Sequence, residues 1–241
     1  MSRKIGSHER AKTAFILQNT CLTRPFLCPE IRLHLITDAC RLWHATETDL
    51  EKIGLVDPYW GFCWAGGQAL ARFILDHPEW VAGKRVLDFG AGCGIEAVAA
   101  CMVGADYLLA SDIDPMAAVA VELNARANSV AIATTTRDLV GNPLQDFDVV
   151  LAGDMFYDPA FARKVLSWFQ DLLARGVKIL LGDPSRGNLH AAPLHPLAAY
   201  QAPADVDITG KHLQKTTVYT VAERLSKNSS ARESNLLRFP P

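Results

Sequence analysis

Apolar residues recur along the chain in two alternating rhythms. Short continuous runs at residues 85–89, 107–111, 147–152 and 177–181 predict strands, and the 147–152 run suits burial on both faces of a parallel sheet. Between them, apolar positions fall at helical spacing. Residues 68–77 carry Leu70, Phe73 and Ile74, and residues 95–103 are closed by Gly104. The stretch opened by Asp114-Pro115, a carboxylate cap followed by proline, carries Met116, Val119, Ala120 and Leu123. Residues 159–174 carry Val165, Leu166, Trp168, Phe169 and Leu172. Residues 132–137 read as an edge strand, with weaker strand candidates at 197–200 and 216–221. This alternation predicts an α/β fold: a doubly wound, mostly parallel sheet with right-handed crossovers and its ligand site at the C-terminal strand ends.

The flanks have a different texture. Residues 1–57 are mixed, with a helix expected over 9–19 and a stretch punctuated by Pro25 and Pro29, and read as an extension packing on the 58–222 domain. Residues 223–241 are polar, end in Pro240-Pro241 and read as a mobile tail.

Composition narrows the function. Hydrophobic residues make up 49% and charged residues 21% of 241, the balance of a globular chain. A formal net charge of -2 lacks the basic surplus of a nucleic-acid binder. None of the six cysteines forms a two-residue-gap pair, so neither a metal site nor a redox motif is expected, and a chain this long needs no disulfide framework. No apolar run reaches the ~20 residues of a membrane span. Arg3, Lys4, Arg10 and Lys12 against Glu9 match a transit peptide only weakly. A bacterial cytoplasm is the expected location, with the mitochondrial matrix as the alternative.

The central constellation is Val86-Leu87-Asp88-Phe89-Gly90-Ala91-Gly92-Cys93-Gly94. Alternate glycines let a backbone turn sharply from strand to helix and approach a ligand closely. Asp112 ends the next strand and is placed to accept from both ribose hydroxyls of an adenosine. A dinucleotide site needs a wider Gly-x-Gly-x-x-Gly gap, and here position 95 is Ile. Asp88 beside the loop opposes a pyrophosphate and favours the ammonium and sulfonium of S-adenosylmethionine. Asp138 is placed to meet the adenine amino group, or is an ordinary turn residue. Trp64 is placed to cover the adenosine, or is a core tryptophan.

At the end of the fourth strand stand Gly153-Asp154-Met155-Phe156-Tyr157-Asp158. That strand end lies beside the glycine loop in such a sheet. An ionised Asp154 would orient a basic amine, and Tyr157 would wall its aliphatic stem, which points to lysine. No dedicated base is identified; His190 and His195 follow the fifth strand as minor candidates.

Together with Pro58-Tyr59-Trp60-Gly61-Phe62-Cys63-Trp64-Ala65-Gly66-Gly67-Gln68, Ala110-Ser111-Asp112-Ile113-Asp114-Pro115 and Leu181-Gly182-Asp183-Pro184-Ser185-Arg186, these stretches resemble the family 16, seven-β-strand protein methyltransferases over roughly residues 58–221. The resemblance implies a Rossmann-like class I sheet of seven strands whose last strand runs antiparallel. It also implies protein-lysine methylation from S-adenosylmethionine, leaving S-adenosylhomocysteine. Asp154 and Tyr157 would fill the family's Asp-x-x-Tyr motif. Trp64, Asp88, Gly90 and Asp112 would contact the cofactor; Gly92, Gly94, Ile113, Asp138 and Gly153 complete the expected set. The implied protein substrate is the β subunit of electron transfer flavoprotein, with a ribosomal protein or a small-molecule amine as alternatives.

Overall fold

A computed structural model describes residues 7–185, 187, 189, 193–204 and 212–222. The expected polar tail at 223–241, Arg186 and His190 lie outside the described residues. In chain order the elements are α1 (Ser7–Asn19), β1 (Cys21–Thr23), β2 (Leu33–Leu35), α2 (Glu47–Lys52), α3 (Ala65–Asp76), β3 (Arg85–Phe89), α4 (Ile95–Met102), β4 (Tyr107–Ser111), α5 (Pro115–Ala127), β5 (Ala133–Thr135), β6 (Val149–Gly153), α6 (Pro159–Leu173), β7 (Lys178–Asp183), β8 (Leu194–Pro203) and β9 (Leu213–Val221).

The seven-stranded sheet has the order β5-β4-β3-β6-β7-β9-β8. Strands β5 to β7 run parallel, and β9 is antiparallel to both β7 and β8. From β3 the chain winds outward through β4 to β5, then returns to the other side of β3 as β6. The order therefore reverses between β3 and β6, and a crevice opens at their C-terminal ends.

Period-two burial divides the core into two layers. Val86, Leu108, Ala110, Val149, Leu151 and Leu180 face α3, α4 and the β1–β2 segment. Leu87, Phe89, Val150, Ala152, Ile179 and Leu181 face α6, whose Val165, Leu166, Trp168, Phe169 and Leu172 are all buried. Each such side chain contributes about 1.5–3 kcal/mol by leaving water. Asp88 shares the α3–α4 face, because it sits at the same parity as Val86.

Two features escaped the hydrophobic pattern. Strands β1 and β2 pair antiparallel, and their Leu33 and Leu35 enter the main core. The α1 residue Ile16 joins Ile36, Trp60, Ala117 and Ala120 in a third cluster that covers α5. The edge strand β8 is also longer than the 197–200 run suggests, since its outward face is too polar to signal a strand.

Candidate active site

Helix α3 sits directly on the ends of β6 and β7 because glycine faces glycine at both contacts. A Cβ on Gly66 would collide with the Gly182 carbonyl, and one on Gly153 would lie 2.7 Å from Gly67 Cα. This brings the N-terminus of α3 onto Asp154, whose Oδ2 accepts a hydrogen bond from the Gly67 amide (3.1 Å). Asp154 holds φ at +57°, a left-handed conformation that non-glycine residues adopt mainly where surroundings impose it. Its own amide donates to the Gly182 carbonyl (2.9 Å).

Opposite stands the loop after β3. Gly90, Gly92 and Gly94 all take positive φ, which gives this backbone its sharp turn. Two side chains hold the loop in shape. Asp112 Oδ2 accepts from the Gly92 amide (2.9 Å), while its Oδ1 accepts from Asp114 (2.9 Å). The fully buried Asn124 on α5 donates to the Cys93 carbonyl (2.8 Å) and accepts from the His34 amide (2.7 Å), tying β2 to the loop.

Between these walls lies a small open cleft whose lining includes Trp64, Gly67, Gly90, Gly92, Glu96, Gly153 and Asp154. No lysine, arginine or histidine is among the described residues lining it. Above it, aromatic rings form a rim. Trp64 lies 5.9 Å from Tyr59, which lies 6.5 Å from Tyr157, and both tyrosines are exposed. Trp64 is anchored by its Nε1, which donates to the Tyr59 carbonyl (3.3 Å).

Five of the expected residues thus meet at the cleft: Trp64, Gly90, Gly92, Gly153 and Asp154. Asp112 borders it through Gly92, and Tyr157 stands on the rim. Asp88 lies behind the loop, 1% exposed, with Oδ2 accepting from Ala97 at the start of α4 (3.1 Å) and Oδ1 without a hydrogen-bond partner among the described residues. Burial pushes its carboxyl up to about 8. Burial likewise raises Asp112 and the Tyr157 phenol. Gly94 faces Val121 rather than the cleft, and Ile113 projects outward, 75% exposed. Asp138 is not brought to the cleft. It is exposed, accepts from Val140 in a turn and pairs with Lys164 at 3.8 Å, the ordinary turn role. His195 lies on β8, with β7 and β9 between it and β6. All six cysteines are free thiols, and no cluster fit for a metal ion occurs among the described residues.

Six described lining residues lay outside the expected set, namely Phe62, Gly67, Ala91, Cys93, Ile95 and Glu96, and one of them is charged. Glu96 follows the last loop glycine by two positions and turns inward, 5% exposed. Its signal was available: one charge in the otherwise uncharged helix Ile95–Met102.

Along 213 residues the chain is 41% identical to the electron transfer flavoprotein beta subunit lysine methyltransferase of Xenopus laevis, covering 86% of this chain and 85% of that one. The chain belongs to the electron transfer flavoprotein beta subunit lysine methyltransferase family. The human member is 37% identical over 232 residues, 95% of this chain and 82% of its own length. The family model for ribosomal protein L11 methyltransferase (PrmA) matches residues 71–155, the stretch from the middle of α3 to just past the end of β6. A Pyrococcus horikoshii structure named for RNA methyltransferase activity shares the fold, with a TM-score of 0.53 over 91% of this chain and all of that one at 11% identity. The flavoprotein methyltransferase relatives aligned along most of the chain are animal proteins, which argues against the bacterial origin expected above. Among the described residues no helix is long and apolar enough to cross a membrane.

Proposed function

We infer that this chain transfers a methyl group from S-adenosylmethionine to lysine side chains of the electron transfer flavoprotein β subunit. The observation that carries the reading is the cleft itself: a glycine loop facing Asp154 across a space lined by carboxylates and by no basic side chain among the described residues. A pyrophosphate would be repelled there, whereas a ligand positive at its amino-acid end is attracted. The Cβ position of Gly92 is open, with nothing nearer than the Tyr59 carbonyl at 3.9 Å, so a ligand can approach this backbone closely, whereas Met155 fills the space beside Gly90 and Glu96 that beside Gly67 and Gly153.

In this reading Gly90, Gly92 and Gly153 hold the amino-acid end, Glu96 faces the sulfonium, Asp112 holds the ribose, and Trp64 and Ile113 the flanks of the adenosine. Gly94 and Asp88 support the loop from behind, and Asp138 has no part. When bound, the donor supplies an electrophilic methyl group on a sulfonium. Asp154 draws the lysine ammonium to the end of β6, and Tyr59 and Tyr157 wall the aliphatic stem. Lysine's ordinary pKa is about 10.4, so the ammonium must lose a proton before its nitrogen can react. Desolvation within the aromatic rim favours that loss, with the proton leaving to water at the cleft mouth. Alignment by Asp154 and the rim then supplies most of the acceleration.

A ribosomal protein is the second reading, supported by the PrmA match, which reaches one residue beyond Asp154. Incubation with methyl-labelled donor, purified flavoprotein and, separately, ribosomal subunits tests both, followed by peptide mass spectrometry. Methyl-lysine on the flavoprotein β subunit is the expected outcome. Label confined to ribosomal protein, or to no protein, would overturn the substrate assignment.

A further inference from the structure

Helix α4 is buried from Ile95 to Ala100, and Glu96 is its one charged residue. A glutamate placed so would ordinarily reach for solvent or a cation. Instead its carboxylate occupies space left by two glycines. A Cβ on Gly67 would stand 3.3 Å from Glu96 Oε1, and one on Gly153 would overlap that oxygen. Helix α3, helix α4 and the end of β6 thus jointly house one carboxylate at the cleft wall. The titratable groups facing it are Asp88 on β3, Asp154 after β6, and the thiols of Cys28 and Cys63 in the segments before α3. None is a cation, and Glu96 enters no ion pair among the described residues.

We propose that Glu96 discriminates the cationic methyl donor from its uncharged-sulfur product, holding a proton before the donor binds and releasing it when the sulfonium is bound. This rests on the cleft being the S-adenosylmethionine site. The release breaks the carboxyl O–H bond, leaves the electron pair on the carboxylate oxygen and passes the proton to bulk buffer. Nothing is oxidised or reduced. Burial first, and then the nearby Asp88, hold Glu96 well above the usual carboxylate range, which favours the protonated form before binding. A sulfonium nearby favours the ionised form. Once the sulfur is neutral, Glu96 recovers its proton and its grip weakens, which favours product exit.

Titration calorimetry of S-adenosylmethionine and S-adenosylhomocysteine, at pH 7 in two buffers of different ionisation enthalpy, tests this. The wild type should release more protons with the donor than with the product. Glu96→Gln should erase that difference and reduce the donor-over-product preference by about tenfold, the equivalent of one pKa unit. Retained product binding shows that the variant is folded. Equal proton release for both ligands in the wild type would overturn the inference without recourse to any variant. So would a preference unchanged in Glu96→Gln, or proton release abolished by Asp88→Asn and not by Glu96→Gln. Failure of both ligands to bind the wild type would instead refute the donor site itself, and this inference with it.

Discussion

The carboxylates on the two sides of the glycine loop occupy contrasting settings. Toward β6, Glu96 and Asp154 are 5% and 8% exposed and face one cleft. Toward β4 and β5, Asp112 is half-buried and engaged by two backbone amides, and Asp138 is exposed beside a lysine. At 4 Å a unit charge pair is worth about 4 kcal/mol in a partly buried setting and about 1 kcal/mol in water. Charge therefore governs the β6 side, whereas hydrogen-bond geometry governs the β4 side. The same residue type serves for attraction in one place and for shape in the other.

The sharpest way to break this contrast is Asp154→Asn. Asparagine tolerates the +57° φ and keeps an acceptor for the Gly67 amide, so only the charge is lost. Single-turnover methylation should fall about 100-fold, the effect of a misplaced nucleophile. Binding of S-adenosylhomocysteine should stay close to wild type. Weakened binding with unchanged turnover would move Asp154 from the acceptor side to the donor side.

A second effect belongs to Asp88, the carboxyl buried behind the loop. Its folded-state value of about 8 lies above its ordinary 3.8, so the folded protein binds the extra proton between those limits. Stability from this group is complete below pH 4 and is lost as pH rises toward 8, by up to about 1.4 kcal/mol per pH unit. Thermal unfolding should therefore show a lower Tm at pH 8 than at pH 6. Asp88→Asn should flatten that decline, because the amide retains an acceptor for Ala97 and cannot ionise. A slope unchanged by the substitution would assign the decline to another group.

How legible this was in the chain depends on the range of the signal. The parallel strands β3, β4, β6 and β7 were plain because burial on both faces makes them continuous apolar runs. Asp154, Gly90 and Asp112 were found because a strand end fixes their place, and the resemblance pointed to the same residues. The β1–β2 hairpin was missed because each strand is three residues long. Glu96 was missed because helical periodicity does not say which neighbours lack side chains: its inward turn depends on Gly67 and Gly153, 29 and 57 positions away. Asn124 was hidden for the same reason, since its partners lie on β2 and in the glycine loop. Asp138 looked equal to Asp112 by position alone, although only Asp112 reaches a loop amide.

That last pair gives the smallest effects and the cleanest comparison. Asp112→Asn keeps one acceptor but must release either the Gly92 or the Asp114 amide, and it removes the charge that strengthens both bonds. Losing one charge-assisted hydrogen bond costs about 1.5 kcal/mol or more, so the donor should bind roughly tenfold more weakly, with kcat at saturation little changed. Asp138→Ala removes an exposed turn contact and a 3.8 Å surface ion pair, neither within reach of the cleft. Its effect on donor affinity should stay within about twofold, the scale of surface substitutions. If the two variants weakened donor binding equally, the adenosine would extend past Asp112 to β5. The β4–β5 side would then be a second recognition surface, and the division between charge and geometry would no longer hold.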